Sequence, residues 1–269
     1  MRFSIVTISF NQVKYLEQAL RSVIDQSDVD LEYIVVDPGS SDGSRSVIAR
    51  FSERLAHIVL ETDCGPADGL NKGFACATGD VFGFLNSDDY LLPHALRIVQ
   101  DYLESHGDVD VVSGHAMIVD GANRVLRRSY SDPYSARMDA LGAAVLMQPS
   151  TFFRAETFHK VGGFNPQNNV AWDGELFFQM HRSGARFSLL DRFLSAYRIH
   201  EGTITGGARL DAATRKYFKW RFKEQFGREP STADWTWIGA VRVVKHLRNW
   251  RGFKERLLHG PIYGRFRGE

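Results

Sequence analysis

Three groups of residues in this 269-residue chain have the types and spacing for chemistry. The first is Asn86-Ser87-Asp88-Asp89, directly after the apolar run 80–85. Adjacent carboxylates at the end of an apolar run are poor core material, because burying an unpaired ion is costly. They suit a hard divalent cation, which takes oxygen ligands and can grip a diphosphate at the same time. They also suit a helix cap ahead of Pro93, or a solvated turn. The second group is Asp63, Gly65, Asp68, Asn71 and Lys72, within DCGPADGLNK. Glycine lets a ligand approach the backbone, and a helix N-terminus favours anions; on residue types alone this is a capped turn. The third is Asp173, between Trp172 and Gly174, with Glu175 two residues on. An indole beside a carboxylate can stack on a sugar ring and exclude water, while a helix N-cap is the other use of such an aspartate. Cys64 and Cys76 have no evident neighbouring base and read as inert thiols. Two cysteines cannot supply a disulfide framework or a four-ligand zinc site.

The elements that must position these residues follow from the periodicity. Residues 3–9 (FSIVTIS) read as a buried strand ending on Thr7 and Ser9. A helix capped near Asn11 runs to about 26, with Leu16, Ala19, Leu20, Val23 and Ile24 on one face. A second strand over 31–37 ends on Asp37, which also fits an Asx turn opening PGSSDGS. A helix from 42 or 44 to about 53, a strand over 57–61, a helix over 66–77 and a strand over 80–85 complete an alternating pattern. That alternation implies an α/β fold with a mostly parallel sheet and helices on both faces. Such sheets bind ligands beyond the carboxyl ends of their strands, where Thr7, Ser9, Asp37, Asp63 and 86–89 gather. The second half is less regular. It reads as a helix over 93–105, strands over 109–119, 124–128 and 151–154, a helix over 155–160, a helix over 173–182, and strands over 186–190 and 193–199.

The segments SIVTISFNQVKYLEQALRSVIDQ, EYIVVDPGSSDGS, DCGPADGLNKGFACATGDVFGFLNSDD, QPSTFFR and VAWDGELFF occur in that order and cover most of residues 3–200. In this the chain resembles the family 2 glycosyltransferases, inverting enzymes of GT-A fold, and in particular bacterial members that build exopolysaccharides, capsules or O-antigens. The resemblance implies metal-dependent transfer of a sugar from a nucleotide-diphospho-sugar, a UDP-sugar first, to a hydroxyl of a glycan or polyprenyl-linked acceptor, with Mn²⁺ or Mg²⁺ as cofactor. It puts Asn86-Ser87-Asp88 at the Asp-x-Asp metal motif, so Asp88 is the expected metal ligand, and Asn86 and Ser87 are left for ribose or phosphate contact. Thr7 and Ser9 stand where the family touches the nucleotide base. Asp37 stands at the base-binding acid, with Pro38 where many members carry a second aspartate. Asp63, Gly65, Asp68, Asn71 and Lys72 stand where a loop and helix approach the nucleoside and phosphates. Inverting transfer needs one carboxylate to take the acceptor proton as the anomeric carbon is attacked; Asp173 matches that position, with Glu175 as runner-up. Gln148 matches the side facing acceptor and donor sugar. His200 matches a histidine that closes over the diphosphate or completes the metal shell, followed by a glycine-containing flap over 201–207. A nucleotidyltransferase of the same fold would carry a glycine-rich basic loop after the first strand, which Ser9-Phe10-Asn11-Gln12 is not. A non-catalytic nucleotide-sugar-binding protein is the reading that Asn86 and Pro38 leave open. An oxidoreductase is disfavoured because no GxGxxG follows the first strand.

Composition excludes a disordered chain, with 43% hydrophobic residues, 24% charged and a net charge of +1. That small total conceals a division. Residues 1–208 hold 18 Lys/Arg against 26 Asp/Glu, and residues 209–269 hold 15 against 6. The expected organisation is a catalytic domain over 1–207, with a nucleotide-binding half over 1–105 and an acceptor-binding half over 106–207, and then a basic helical extension over 208–269. Trp235, Trp237 and Trp250 among Arg242, Lys245, Arg248, Arg251, Lys254 and Arg256 read as a membrane-surface element. The alternatives are packing on the body or at the interface of a homo-oligomer. No nucleic-acid module is recognisable. No run reaches the length of a bilayer span and no signal peptide is evident, so the expected location is cytoplasmic, or peripheral on the inner face of the plasma membrane.

Overall fold

The computed structural model describes residues 1–168, 170–200 and 211–260. The first half alternates as its periodicity predicts: β1 (Arg2–Ile8), α1 (Val13–Ile24), β2 (Asp30–Val36), α2 (Ser44–Arg50), β3 (His57–Val59), α3 (Pro66–Ala75) and β4 (Val81–Asn86). Then come β5 (Tyr90–Leu91), α4 (Ala95–Ser105), β6 (Val111–Val119), β7 (Val125–Ser129), α5 (Ala136–Ala140), β8 (Thr151–Arg154), α6 (Ala155–Val161), α7 (Trp172–Arg182) and β9 (Phe187–Arg198). The extension forms α8 (Asp211–Phe226), α9 (Thr232–Arg248) and α10 (Trp250–His259).

All nine strands join one sheet in the order β3-β2-β1-β4-β8-β6-β9-β5, with β7 paired to Ala116–Val119 of β6, past the stretch that β8 takes. Strands β3, β2, β1 and β4 are mutually parallel. Beyond β4 the sheet is mixed, because β8 runs antiparallel to both β4 and β6 while β9 runs parallel to β6. Alternate side chains of the buried strands feed two cores, as the period-2 pleat requires. Phe3, Ile5, Tyr33, Val35, Val81 and Leu85 meet α1, α2 and α4 on one face. Val6, Ile34, Val36, Phe82 and Phe84 meet α3, α6 and α7 on the other. Helix α3 approaches so closely that a Cβ on Gly73 would lie 2.5 Å from Val6 Cγ1. Only glycine permits that contact.

Pairing Ile8 with both Val36 and Asn86 aligns the carboxyl ends of β1, β2 and β4. Ser9, Asp37 and Ser87 therefore emerge side by side. The expected pair of strands over 186–190 and 193–199 is a single strand, β9. Its exposed Asp191-Arg192 step breaks the apolar pattern like a turn, but Asp191 instead accepts from His115 Nε2 at 2.9 Å and Arg251 at 2.8 Å. The register against β6 shifts at the same place.

The extension packs on the body. Phe222 and Ile238 form an apolar cluster with Leu141 and Ala143. Arg221 pairs with Asp139 at 2.7 Å, Lys245 with Asp132 at 3.4 Å and Arg251 with Asp191 at 2.8 Å. These three cations thus answer acids of the body, while Val243, Leu247, Trp250, Leu257 and Leu258 stay exposed. No helix among the described residues is long and apolar enough to cross a membrane. The glycine-rich junction at 206–207 and the flap over 201–207 lie outside the described residues.

Candidate active site

A cleft of about 610 Å³ opens where the carboxyl ends of the parallel strands meet the N-terminus of α7. It gathers Ser9 from the end of β1, Asp63 and Gly65 from the approach to α3, Asn86, Ser87, Asp88 and Asp89 from the end of β4, and Asp173 from α7. Gln148 and Trp172 close its wall. Among the described residues its charged lining is Asp63, Asp88, Asp89 and Asp173 against Arg198. A diphosphate entering such a field needs a counter-cation.

Asp173 sits in the first turn of α7, whose N-cap position is held by Ala171 without a side-chain cap. It is partly buried against Trp172, and desolvation raises its carboxyl above the usual range. Backbone N–H groups at Asp173 and Gly174 act in the opposite sense but more weakly. Glu175 faces away from the cleft. Its oxygens accept from Asn165 and Asn168 and tie down the 165–168 loop.

The Asp88-Asp89 pair divides its work. Asp89 is buried; its Oδ1 accepts from the Arg198 backbone N–H at 2.8 Å, and its Oδ2 has no partner among the described residues. Burial, and then Asp88, push its carboxyl well up. Asp88 is partly exposed, and its Oδ2 lies 3.2 Å from His200 Nε2. Among the described residues no three His, Cys, Asp or Glu side chains group as a metal site. The set Asp88 and His200, with Asn86 and the orphaned Asp89 oxygen at hand, nonetheless fits a divalent cation that draws its remaining ligands from water and substrate phosphates. Mg²⁺ commonly uses one or two carboxylates in this way.

The other expected contacts divide in two. Ser9 lines the cleft with a hydroxyl that has no partner among the described residues. Thr7 does not reach it. The strand alternation buries Thr7, and its hydroxyl shares a hydrogen bond of 2.8 Å with Tyr33. Asp37 takes up the Asx-turn use and does not itself line the cleft. Its Oδ1 closes an Asx turn by accepting from Gly39 and Ser40 and also accepts from Arg45, whereas its Oδ2 is buried without a described partner. Pro38 takes the cleft-facing place beside it.

Asp63 lines the cleft, and burial raises its carboxyl. Gly65 precedes α3 with φ 131°, a backbone shape suited to glycine. Asp68, Asn71 and Lys72 lie outside the cleft lining. Lys72 donates to Asp68 and to the Thr62 carbonyl, and Asp68 accepts from the Cys64 N–H, so this pair shapes the loop bearing Asp63. Asn71 exchanges hydrogen bonds with both backbone groups of Phe164 and anchors the segment leading to α7. Arg154 is held by the Val109 carbonyl and stays in the frame of the sheet.

Arg198 is a cleft residue that the sequence did not single out. It is 1% exposed, and its guanidinium donates to the Asp88 carbonyl, the Asp120 carbonyl and Gln18 Oε1. It also stacks over Tyr15 at 4.5 Å. An arginine inside an apolar strand pattern was the available signal, since arginine is seldom buried without several partners. Gln148 donates to the Phe84 carbonyl at 2.7 Å and so is pinned to the rim.

Comparison with known proteins gives the family and the fold of this chain. The sequence model for "Glycosyl transferase family 2" matches residues 4–162. A putative teichuronic acid biosynthesis glycosyltransferase of Bacillus subtilis is 38% identical over 221 residues, covering 81% of this chain and 86% of that protein. An uncharacterised glycosyltransferase of Nostoc is 32% identical over 215 residues, which is 74% of this chain and 65% of that protein's length. Among solved structures, S. aureus TarS 1-349 in complex with UDP-GlcNAc superimposes with TM-score 0.67 at 18% identity, over 93% of this chain and 73% of that one. A Pyrobaculum calidifontis mannosyltransferase in complex with GDP-Man and Mn²⁺ gives TM-score 0.61 at 19% identity, over 96% and 73%. The likeness to these structures establishes the GT-A fold. With a family match across most of the sheet and a B. subtilis relative aligned over most of both chains, this chain belongs to glycosyl transferase family 2.

Proposed function

We propose that this family 2 glycosyltransferase moves a sugar, with inversion, from a nucleotide-diphospho-sugar to an acceptor hydroxyl in bacterial surface-polysaccharide synthesis. The reading rests on one observation: Asp88 and Asp173, brought from β4 and α7, line a single cleft with Ser9, Asp63 and Gly65. The nucleoside binds on the half over 1–105, and the half over 106–207 brings Asp173 to the acceptor. A UDP-sugar is the donor we favour, in keeping with the UDP-GlcNAc bound by TarS.

A divalent cation, Mn²⁺ or Mg²⁺, would be held by Asp88 and His200 and would offset the charge that develops on the departing diphosphate. The chain's own residues do the rest. Ser9 and the segment around Asp37 orient the nucleoside. Trp172 covers the sugar face and excludes water. Asp173, held only partly solvated at the helix N-terminus, accepts the acceptor hydroxyl proton as its oxygen bonds to the anomeric carbon and the bond to the nucleotide diphosphate breaks. A raised carboxyl pKa suits this role, because a stronger base is a better proton acceptor while it stays ionised near neutral pH.

A thermal-shift screen of sugar nucleotides with and without Mn²⁺ tests the donor reading, since a ligand of the native state raises apparent stability. A Mn²⁺-dependent shift that Asp88→Ala abolishes is expected. No shift with any sugar nucleotide, or a shift equal in Asp88→Ala, contradicts it. We further propose that the exposed apolar side of α9 and α10, carrying Leu247, Trp250 and Leu257 beside Lys254, meets an anionic membrane surface at the cytoplasmic face. Co-sedimentation with vesicles should rise with anionic lipid content; binding indifferent to lipid charge contradicts that part.

A further inference from the structure

A second cavity adjoins the cleft and has the opposite charge. Its volume is about 290 Å³, and Gln148, Asp173 and Tyr197 line both spaces. Asp173 thus stands at the junction. The far wall comes from the extension, through Lys245 and His246 of α9 and Phe253 and Arg256 of α10, and faces Arg127 and Arg128 of β7. Among the described lining residues Asp173 is the one carboxylate, against four permanent cations.

The wall is built rather than incidental. Lys245 is seated on Asp132 at 3.4 Å, and the same carboxylate accepts from Asn249 at 2.7 Å, which fixes the α9–α10 corner. Glu255 accepts from the Arg128 backbone N–H at 2.8 Å, and Arg127 donates to the Gly260 carbonyl at 2.8 Å, so α10 is clamped along β7. Arg128 lies over the Phe193 ring at 5.9 Å, and neither its guanidinium nor that of Arg256 has a carboxylate partner among the described residues. The cations also press on one another. After burial, Lys245 and Arg256 hold His246 below its ordinary pKa, and Arg221 and Arg256 do the same to Arg242. Such mutual repulsion is relieved by an anion, the condition that phosphate and carboxylate sites share.

We propose that this cavity is the acceptor site and that the acceptor is anionic, its phosphate or carboxylate held by Arg128, Lys245 and Arg256 while its hydroxyl meets Asp173. The proposal rests on the reading of Asp173 as the base and adds the chemical class of the acceptor to it. In the transfer step the acceptor oxygen bonds to the anomeric carbon, its proton goes to Asp173, and the nucleotide diphosphate leaves on the cleft side. The two spaces keep like charges apart, since the donor's diphosphate lies with a cation among carboxylates and the acceptor's charge lies among arginines.

The test is calorimetric titration of the full chain, with UDP or GDP and Mn²⁺ first bound in the donor cleft. Four probes are compared: farnesyl diphosphate, its neutral counterpart farnesol, trigalacturonate, and neutral maltotriose. At least one anionic probe should bind about tenfold or more tighter than its neutral counterpart. Farnesyl diphosphate as the binder identifies a lipid-linked acceptor, and trigalacturonate an acidic glycan. Both Arg128→Ala/Arg256→Ala and Arg256→Glu should lose the preference with nucleotide affinity intact; these side chains are exposed, so the fold should survive. Equal binding of neutral probes, no anion binding with nucleotide in place, or full retention in both variants overturns the proposal. A chain that binds neither nucleotide contradicts the donor reading instead, and an anion affinity dependent on Arg128 and Arg256 would still support the cavity.

Discussion

Asp173 stands where the acidic cleft meets the basic cavity. Its first-turn position on α7 brings it to the cleft, and desolvation raises its carboxyl. The sign follows directly. A group with a raised pKa stays protonated to higher pH, so the base form is lost as pH falls through that raised value. The acid limb of kcat/KM, which reports the free enzyme, should therefore lie above the ordinary aspartate value of about 3.9. A pH–rate profile of the wild-type chain checks this, and a flat profile through the weakly acidic range contradicts it. Asp88, Asp89 and Asp173 were legible in the sequence because paired or aromatic-flanked carboxylates at strand and helix ends have few structural uses. Thr7, Asp68, Asn71 and Lys72 were legible as polar residues near the site, but not as members of its frame. Which way a side chain leaves a strand end or helix turn depends on partners such as Tyr33 and Phe164, distant in sequence from the residues they hold.

Among elements, the parallel strands could be read closely, since buried β-branched runs separated by amphipathic helices admit few other folds. The mixed half could not. Strand β8 is short, and its antiparallel place between β4 and β6 is set by pairing that no local pattern encodes. Strand β9 hid its continuity behind Asp191-Arg192, whose charges are answered by His115 and Arg251 from other elements. The end of that strand carries Arg198, whose guanidinium binds the Asp88 carbonyl and thereby joins β9 to the loop after β4. Charge-assisted hydrogen bonds contribute about 1.5–3 kcal/mol each. Arg198→Met, which keeps the length and removes the donors, should destabilise the chain by about 3–5 kcal/mol by leaving buried acceptors unpaired. Urea denaturation measures this. A loss below about 1 kcal/mol would mean that β9 does not hold the Asp88 loop through this side chain.

For the whole molecule, the split of charge between body and extension acquires a structural meaning. Arg221, Lys245 and Arg251 pair with acids of the body, and Phe222 is completely buried in the cluster that joins them. The extension is then part of the cooperative unit. Phe222→Ala should cost about 3–5 kcal/mol and lower a single unfolding transition; a separate early transition with the main one unchanged would show an independent appendage. The same helices wall a basic cavity against the acidic cleft, and Asp173 is shared between the two. The measurement that bears most directly on the account is single-turnover sugar transfer by Asp173→Asn, with sugar-nucleotide affinity determined on the same preparation. Loss of transfer by about 10²–10⁴-fold, the range for a general base, with donor affinity preserved, is the expected result. Transfer near the wild-type rate with normal donor binding would contradict it.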